Sequence, residues 1–123
     1  MSTDTPVPAL VDLRRPLSAE ESPVDSAKVL TGAPVQRISN HYSDAGAKFH
    51  CGVWSSTAGR WRVRYTEHEF CHLIEGRVRL TSVDGGTWEF GPGDAWVIPA
   101  GFDGPWETLE PARKHYAIHE AGE

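Results

Sequence analysis

The chain is poor in sulfur, has no long apolar run and carries no excess of positive charge, and each shortage narrows what it can be. Cys51 and Cys71 are the only cysteines among 123 residues, beside a single methionine. That is too few for a disulfide scaffold. The start, "MSTDTPVPALVDLRRPL", has no basic segment followed by an apolar one, so the expected compartment is the cytoplasm, with both cysteines held as thiols. No stretch reaches the roughly 20 apolar residues of a membrane helix, and the mean hydropathy is −0.42, so no membrane partner is expected. Twelve Lys and Arg against seventeen Asp and Glu leave a net charge of −5. With no basic stripe, nucleic acid is not an expected partner either. After Pro34 no segment shows a long period-3.6 stripe, which argues against a helical fold.

What the chain does have is turns, aromatic residues and short alternating runs. Pro6, Pro8, Pro16 and Pro23, with the acidic patch "SAEESPVDSA", mark residues 1–33 as an irregular arm. Within it only "PALVDL" has apolar side chains to dock with. From residue 34 to 123 the pattern changes to runs such as "KFHCGVW", "RWRVRYTE", "EFCHLIE", "RVRLTSV", "AWVIP" and "KHYAIHE". These are rich in β-branched and aromatic residues and are separated by "SDAGA", "STAG", "GPGD" and "AGFDG". Many short strands at regular spacing predict a sandwich or a barrel. "SVDGGTWEF" predicts a hairpin, its glycines supplying positive φ at the turn.

Two segments resemble the paired motifs of the cupin superfamily. One is "EFCHLIEG", Glu69 to Gly76; the other is "GDAWVIPAG", with Gly93, Pro99 and Gly101 at the characteristic spacing. The resemblance covers roughly residues 34 to 118 and implies an all-β double-stranded β-helix, a jelly-roll barrel. Within the superfamily the chain is most similar to small single-barrel proteins grouped with (S)-ureidoglycine aminohydrolase and the ethanolamine-utilisation cupins, many of which have no assigned reaction. In the superfamily these motifs usually carry three histidines and a glutamate on a metal. Here the corresponding positions are Val63 and Tyr65 (or Arg62 and Arg64), Glu69 and Gly104. One carboxylate in four positions implies no metal cofactor. The alternative is a divalent metal at Glu69, assisted by Glu67, Cys71 and, from a neighbouring strand, His50.

Strand alternation then sorts the remaining residues. If Glu69 points inward, Tyr65, Glu67, Cys71 and Leu73 share its face, while His68 and His72 point out. Gly104, Trp106 and Thr108 share one face, and so do Lys114 and Tyr116; the resemblance turns both faces toward the cavity. Glu69, Lys114 and Tyr116 are therefore the expected catalytic set, with Tyr65, Trp106, Cys71 and Trp61 as substrate contacts. In that reading Lys114 binds an anionic group, Glu69 accepts from an amine or amide, and Trp106 packs the body of the ligand. The expected partner is a small organic acid or nitrogenous metabolite. Three functions stay open: a metal-independent enzyme, a metal-dependent relative of ureidoglycine aminohydrolase, and a ligand-sensing or accessory module. The outer residues His68, Phe70 and His72, together with the resemblance, imply a homodimer.

Overall fold

The computed structural model describes residues 6–121, and nine strands with no helix account for the regular structure among them. They are β1 (Glu20–Pro23), β2 (Val29–Thr31), β3 (Val35–Ser43), β4 (Phe49–Ser56), β5 (Gly59–Arg64), β6 (Glu67–Thr81), β7 (Thr87–Phe90), β8 (Ala95–Ile98) and β9 (Asp103–Glu120). All pair antiparallel in one curled sheet. This is an all-β architecture, as the cupin resemblance implies.

Two long strands hold the curl together. β9 pairs through its first half with β5 and through its second half with β4, while β6 runs along its other side. The turn chemistry at "EG" and "EPA" predicts breaks at both places. Instead β6 passes through Gly76 and β9 through Pro111 without ending, and the register between them slips at Leu73/Glu75, Glu75/Arg77 and Arg77/Val78. Such slips bend a strand so that it can serve two walls of a barrel. Gly76 has φ +90, and a Cβ there would overlap the Pro111 carbonyl and Ala112, so only glycine lets the strands meet at the bend. The "SVDGGTWEF" hairpin forms as predicted, Leu80 opposite Trp88 and Thr81 opposite Thr87.

The arm is only partly irregular. Residues 20–23 pair with β3 and residues 29–31 with β5, so its second half extends the sheet. The reason lies in two residues that composition alone does not distinguish. Val24 is buried, its N–H donates to the Pro34 carbonyl at 3.0 Å, and Pro34 is buried too. Before Glu20 the chain runs along β3, where the Arg15 carbonyl meets His41 Nε2 at 2.8 Å. Val7 and Leu10 remain almost fully exposed.

The core fills the curl with aromatic rings. Trp54, Trp61 and Trp106 are all buried, with Trp54 edge-on to Trp106 at 5.2 Å between centroids and Trp61 6.4 Å from it. Trp96 stacks flat on Phe90 at 3.9 Å. Leu73, Val78, Leu80 and Ile98 close the floor. Rings of this size bury much apolar area each, yet they leave one side of the barrel open.

Candidate functional site

That open side is a cavity of approximately 410 Å3. Trp54, Trp61, Trp106, Ile38, Val63 and Ile118 form its apolar wall, and Gln36, Asn40, His50, Tyr65, Glu67, Glu69, Lys114 and Tyr116 its polar one. Alternation puts these groups there. On β6, Glu67 and Glu69 point inward while His68 and His72 point outward. On β9, Trp106, Thr108, Lys114 and Tyr116 point inward while Arg113 and His115 face away.

At the cavity floor Lys114 Nζ donates to Glu69 Oε2 at 2.8 Å, with the lysine 3% and the glutamate 5% exposed. The same ammonium lies 3.4 Å from Cys71 Sγ and over two indole faces, 4.4 Å from the Trp106 centroid and 4.7 Å from that of Trp54. Burial by itself would pull the ammonium down. The Cys71, Glu69 and Tyr65 groups around it outweigh that and hold Lys114 above the ordinary lysine value. Lys114 is therefore a fixed positive charge at neutral pH.

The neighbours are raised as well, which for an acid favours the neutral form. Burial pushes the Cys71 thiol up to about 12, although Lys114 beside it pulls it down. Burial also raises Tyr65 and takes Tyr116 up to about 12, with Cys51 and Glu69 adding to the effect at Tyr116. The Tyr116 hydroxyl donates to Asn40 Oδ1 at 2.7 Å. Nearer the mouth, burial raises Glu67, and so do Glu120 opposite it and Glu69 two residues on.

The expected residues thus divide. Glu69, Lys114, Tyr116, Tyr65, Trp106 and Trp61 come together on the cavity wall. Cys71 does not: it is fully buried behind the Lys114 ammonium and lines no part of the cavity, which removes it from the substrate contacts. Parity sets its direction correctly, but Lys114 from the next strand covers it. Trp54, Gln36 and Asn40 are wall residues that the sequence reading passes over. Trp54 lies opposite Lys114 across β4 and β9, and Gly52 opposite Tyr116. The inward parity of "GVWSS" would find Trp54 once that pairing is known. Asn40 follows Gln36 and Ile38 at period two on β3, so parity places it on the same wall, and the register slips only beyond it, between Asn40 and Tyr42.

The residues present do not fit a cupin metal. Of the four corresponding positions Val63 offers no donor, Tyr65 keeps its proton, and Gly104 has no side chain. A Cβ on Gly104 would overlap the Thr81 carbonyl, so the backbone itself closes the histidine position. The remaining ligand, Glu69, holds an ammonium. Among the described residues no group of three or more His, Cys, Asp or Glu side chains is placed to hold an ion.

A model for the EutQ-like cupin domain matches residues 43–116. The chain belongs to this cupin family. No curated protein matches it. Its fold superposes with a TM-score of 0.77 on a DUF861-family protein of unknown function from Pseudomonas syringae, 29% identical over 88% of this chain and 46% of that one. The cupin therefore spans about half the length of that relative. A DUF861-family protein from Thermotoga maritima is 34% identical over 52% of this chain and 73% of its own, with a TM-score of 0.51. A putative ethanolamine utilization protein Q from Salmonella typhimurium shares the fold at 16% identity and a TM-score of 0.64, over 88% of this chain and all of that one. Among the described residues no helix is long and apolar enough to cross a membrane.

Proposed function

We propose that this single-domain cupin binds a small organic metabolite, an acid or a nitrogenous compound, in its barrel, with Glu69, Lys114 and Tyr116 as the polar centre and no metal among them. The observation that carries the reading is the cavity of approximately 410 Å3, aromatic-walled and floored by a buried ion pair. Its volume falls in the range of small-molecule pockets. A buried ion pair is usually no more stable than an apolar pair of the same shape, so its presence at the cavity floor supports a role in binding.

The same groups limit the chemistry. A lysine held protonated is a fixed charge and not a nucleophile or Schiff-base former, which needs a lowered pKa. Glu69 and the Tyr116 phenol are the groups able to move a proton. The metal-dependent reading is the weaker one, because Val63 and Gly104 offer no donor and Tyr65 keeps its proton. Product formation separates an enzyme from a sensing module with the same pocket. The two free thiols, Cys51 and Cys71, support a reducing compartment, the cytoplasm. The outer face carrying Phe70 at 46% and Val97 at 58% exposure supports assembly as a homodimer, which sedimentation would test.

The test of binding is a thermal-shift screen of small acids, amines and amides against the wild type and Ile38→Trp. Ile38 lines the cavity from β3 and takes no part in the ion pair, so the larger indole narrows the cavity and leaves both charges in place. Compounds that stabilise the wild type and lose their effect on the variant bind in the barrel. Hits that stabilise both equally place binding elsewhere and overturn the reading.

A further inference from the structure

Most hydrogen-bond donors of the cavity wall are already committed to protein acceptors. Trp54 Nε1 donates to Gln36 Oε1 at 2.9 Å, Trp106 Nε1 to Thr108 Oγ1 at 3.0 Å, and the Tyr116 hydroxyl to Asn40. The Asn40 amide nitrogen meets the Tyr42 carbonyl at 3.3 Å and Ser43 Oγ at 2.9 Å. Both His50 nitrogens are engaged, by Ser43 Oγ at 2.7 Å and the Ala47 carbonyl at 3.2 Å. The Lys114 ammonium is paired with Glu69 and covered by two indoles. Gln36, Trp61 and Tyr65, the other donor-bearing residues of the wall, are neutral.

The acceptors differ. Glu69 accepts from Lys114 through Oε2, and the Tyr65 hydroxyl and the Cys71 thiol lie beside it as further, neutral donors. Glu67 lines the cavity and makes no ion pair with any described Lys, Arg or His. Two residues apart on one strand, Glu67 and Glu69 stand on the same face with their Cα atoms roughly 7 Å apart. The charged groups on the cavity wall are Glu67, Glu69 and Lys114, so acidity exceeds basicity by one before Glu120 beside Glu67 is counted.

We infer that the ligand of this cavity is a small organic cation, a primary amine or amidine, whose charged end lies between Glu67 and Glu69 and whose body rests on Trp61, Trp106 and Tyr65. The inference rests on the binding function proposed above and narrows it, setting aside an organic acid held by Lys114. Physical chemistry favours it on three counts. A cation supplies the charged donor that Glu67 lacks, the bond being charge-assisted. It offsets the burial and the like charge of Glu120 and Glu69 that together raise Glu67. Indole and phenol faces attract a cation in a partly desolvated site. An anion would meet the unpaired Glu67 carboxylate and a Glu69–Lys114 pair with no net charge to offer it.

The test uses three probes of matched shape, benzylamine, benzyl alcohol and benzoate, titrated into the protein near neutral pH and followed by tryptophan fluorescence. Wild type, Glu67→Gln and Ile38→Trp are compared, each first shown by thermal unfolding to be folded. The expected result is that benzylamine binds at least about tenfold more tightly than the other two, weakens about tenfold in Glu67→Gln, and is lost in Ile38→Trp. Benzoate binding as well as benzylamine, or benzylamine indifferent to Glu67→Gln, would overturn the cation assignment and leave the barrel as a binding site. If none of the three binds at millimolar concentration, or if Ile38→Trp changes nothing, the barrel-binding reading fails and the cation assignment with it.

Discussion

Replacing Lys114 with methionine removes the ammonium from the cavity floor and keeps much of the side-chain volume. Glu69, 5% exposed, then loses its 2.8 Å partner and stands as an unpaired carboxylate among Trp54, Trp106 and Cys71. Breaking one side of a buried pair in this way costs about 3–5 kcal/mol. At roughly 4 °C per kcal/mol for a domain of this size, the midpoint of thermal unfolding falls by about 12–20 °C. The carboxylate can escape the cost by taking a proton. Burial without a partner raises its folded pKa above the unfolded value of about 4.3. A raised acid contributes stability at low pH that is lost as pH rises, so the deficit of Lys114→Met against wild type should widen from about pH 4 to pH 7. The double variant Glu69→Leu/Lys114→Met leaves no charge to compensate and should recover most of the loss, giving a coupling of about 3 kcal/mol or more. Thermal and urea unfolding of the four proteins, followed by tryptophan fluorescence at several pH values, measures all of this. A single variant destabilised by less than about 1 kcal/mol, or a double variant as unstable as the sum of its parts, would refute the buried pair as described.

Two other outcomes follow from the same geometry. Gly104→His, which would restore the family's missing ligand, should fail to give folded protein or lose most of its stability, because any Cβ there overlaps the Thr81 carbonyl; a well-folded variant by circular dichroism would contradict the close approach of β9 to that turn. Cys71 and Tyr116 are both raised to about 12 in the folded protein from ordinary values of 9.0 and 10.0. Acids with raised folded values stabilise below their unfolded pKa and lose that contribution above it, so stability should fall between about pH 9 and 12. Urea midpoints that hold steady across that range would show both groups to be in contact with water.

Alternation and turn chemistry carry much of this protein in the open. The period-two runs after Pro34 mark the strands, and the same parity places Glu69, Trp106, Lys114 and Tyr116 inside, as the structure has them. Parity works at these positions because a strand buried on one face must present alternate residues to it. It stops working where the strand is irregular. The register of β3 slips just past Asn40, and β6 and β9 run through Gly76 and Pro111, which read as ends. The arm beyond Ala19 was legible only as polar and proline-rich, because its place in the sheet depends on Val24 and Pro34 meeting the barrel.

By itself the sequence determined the fold class, the direction in which most side chains point, and the loss of the inherited metal ligands at Val63, Tyr65 and Gly104. These are local properties, set by spacing along one strand. Tertiary structure alone decided who meets whom across strands: Lys114 against Glu69 and not free to hold an anion, Cys71 sealed behind it, and Trp54 over the ammonium. Contacts of that kind depend on register between segments some 40 residues apart (Glu69 and Lys114 are separated by 45), and no local pattern encodes it. The charge balance of the cavity, and so the ligand it is suited to hold, exists only after those pairings form.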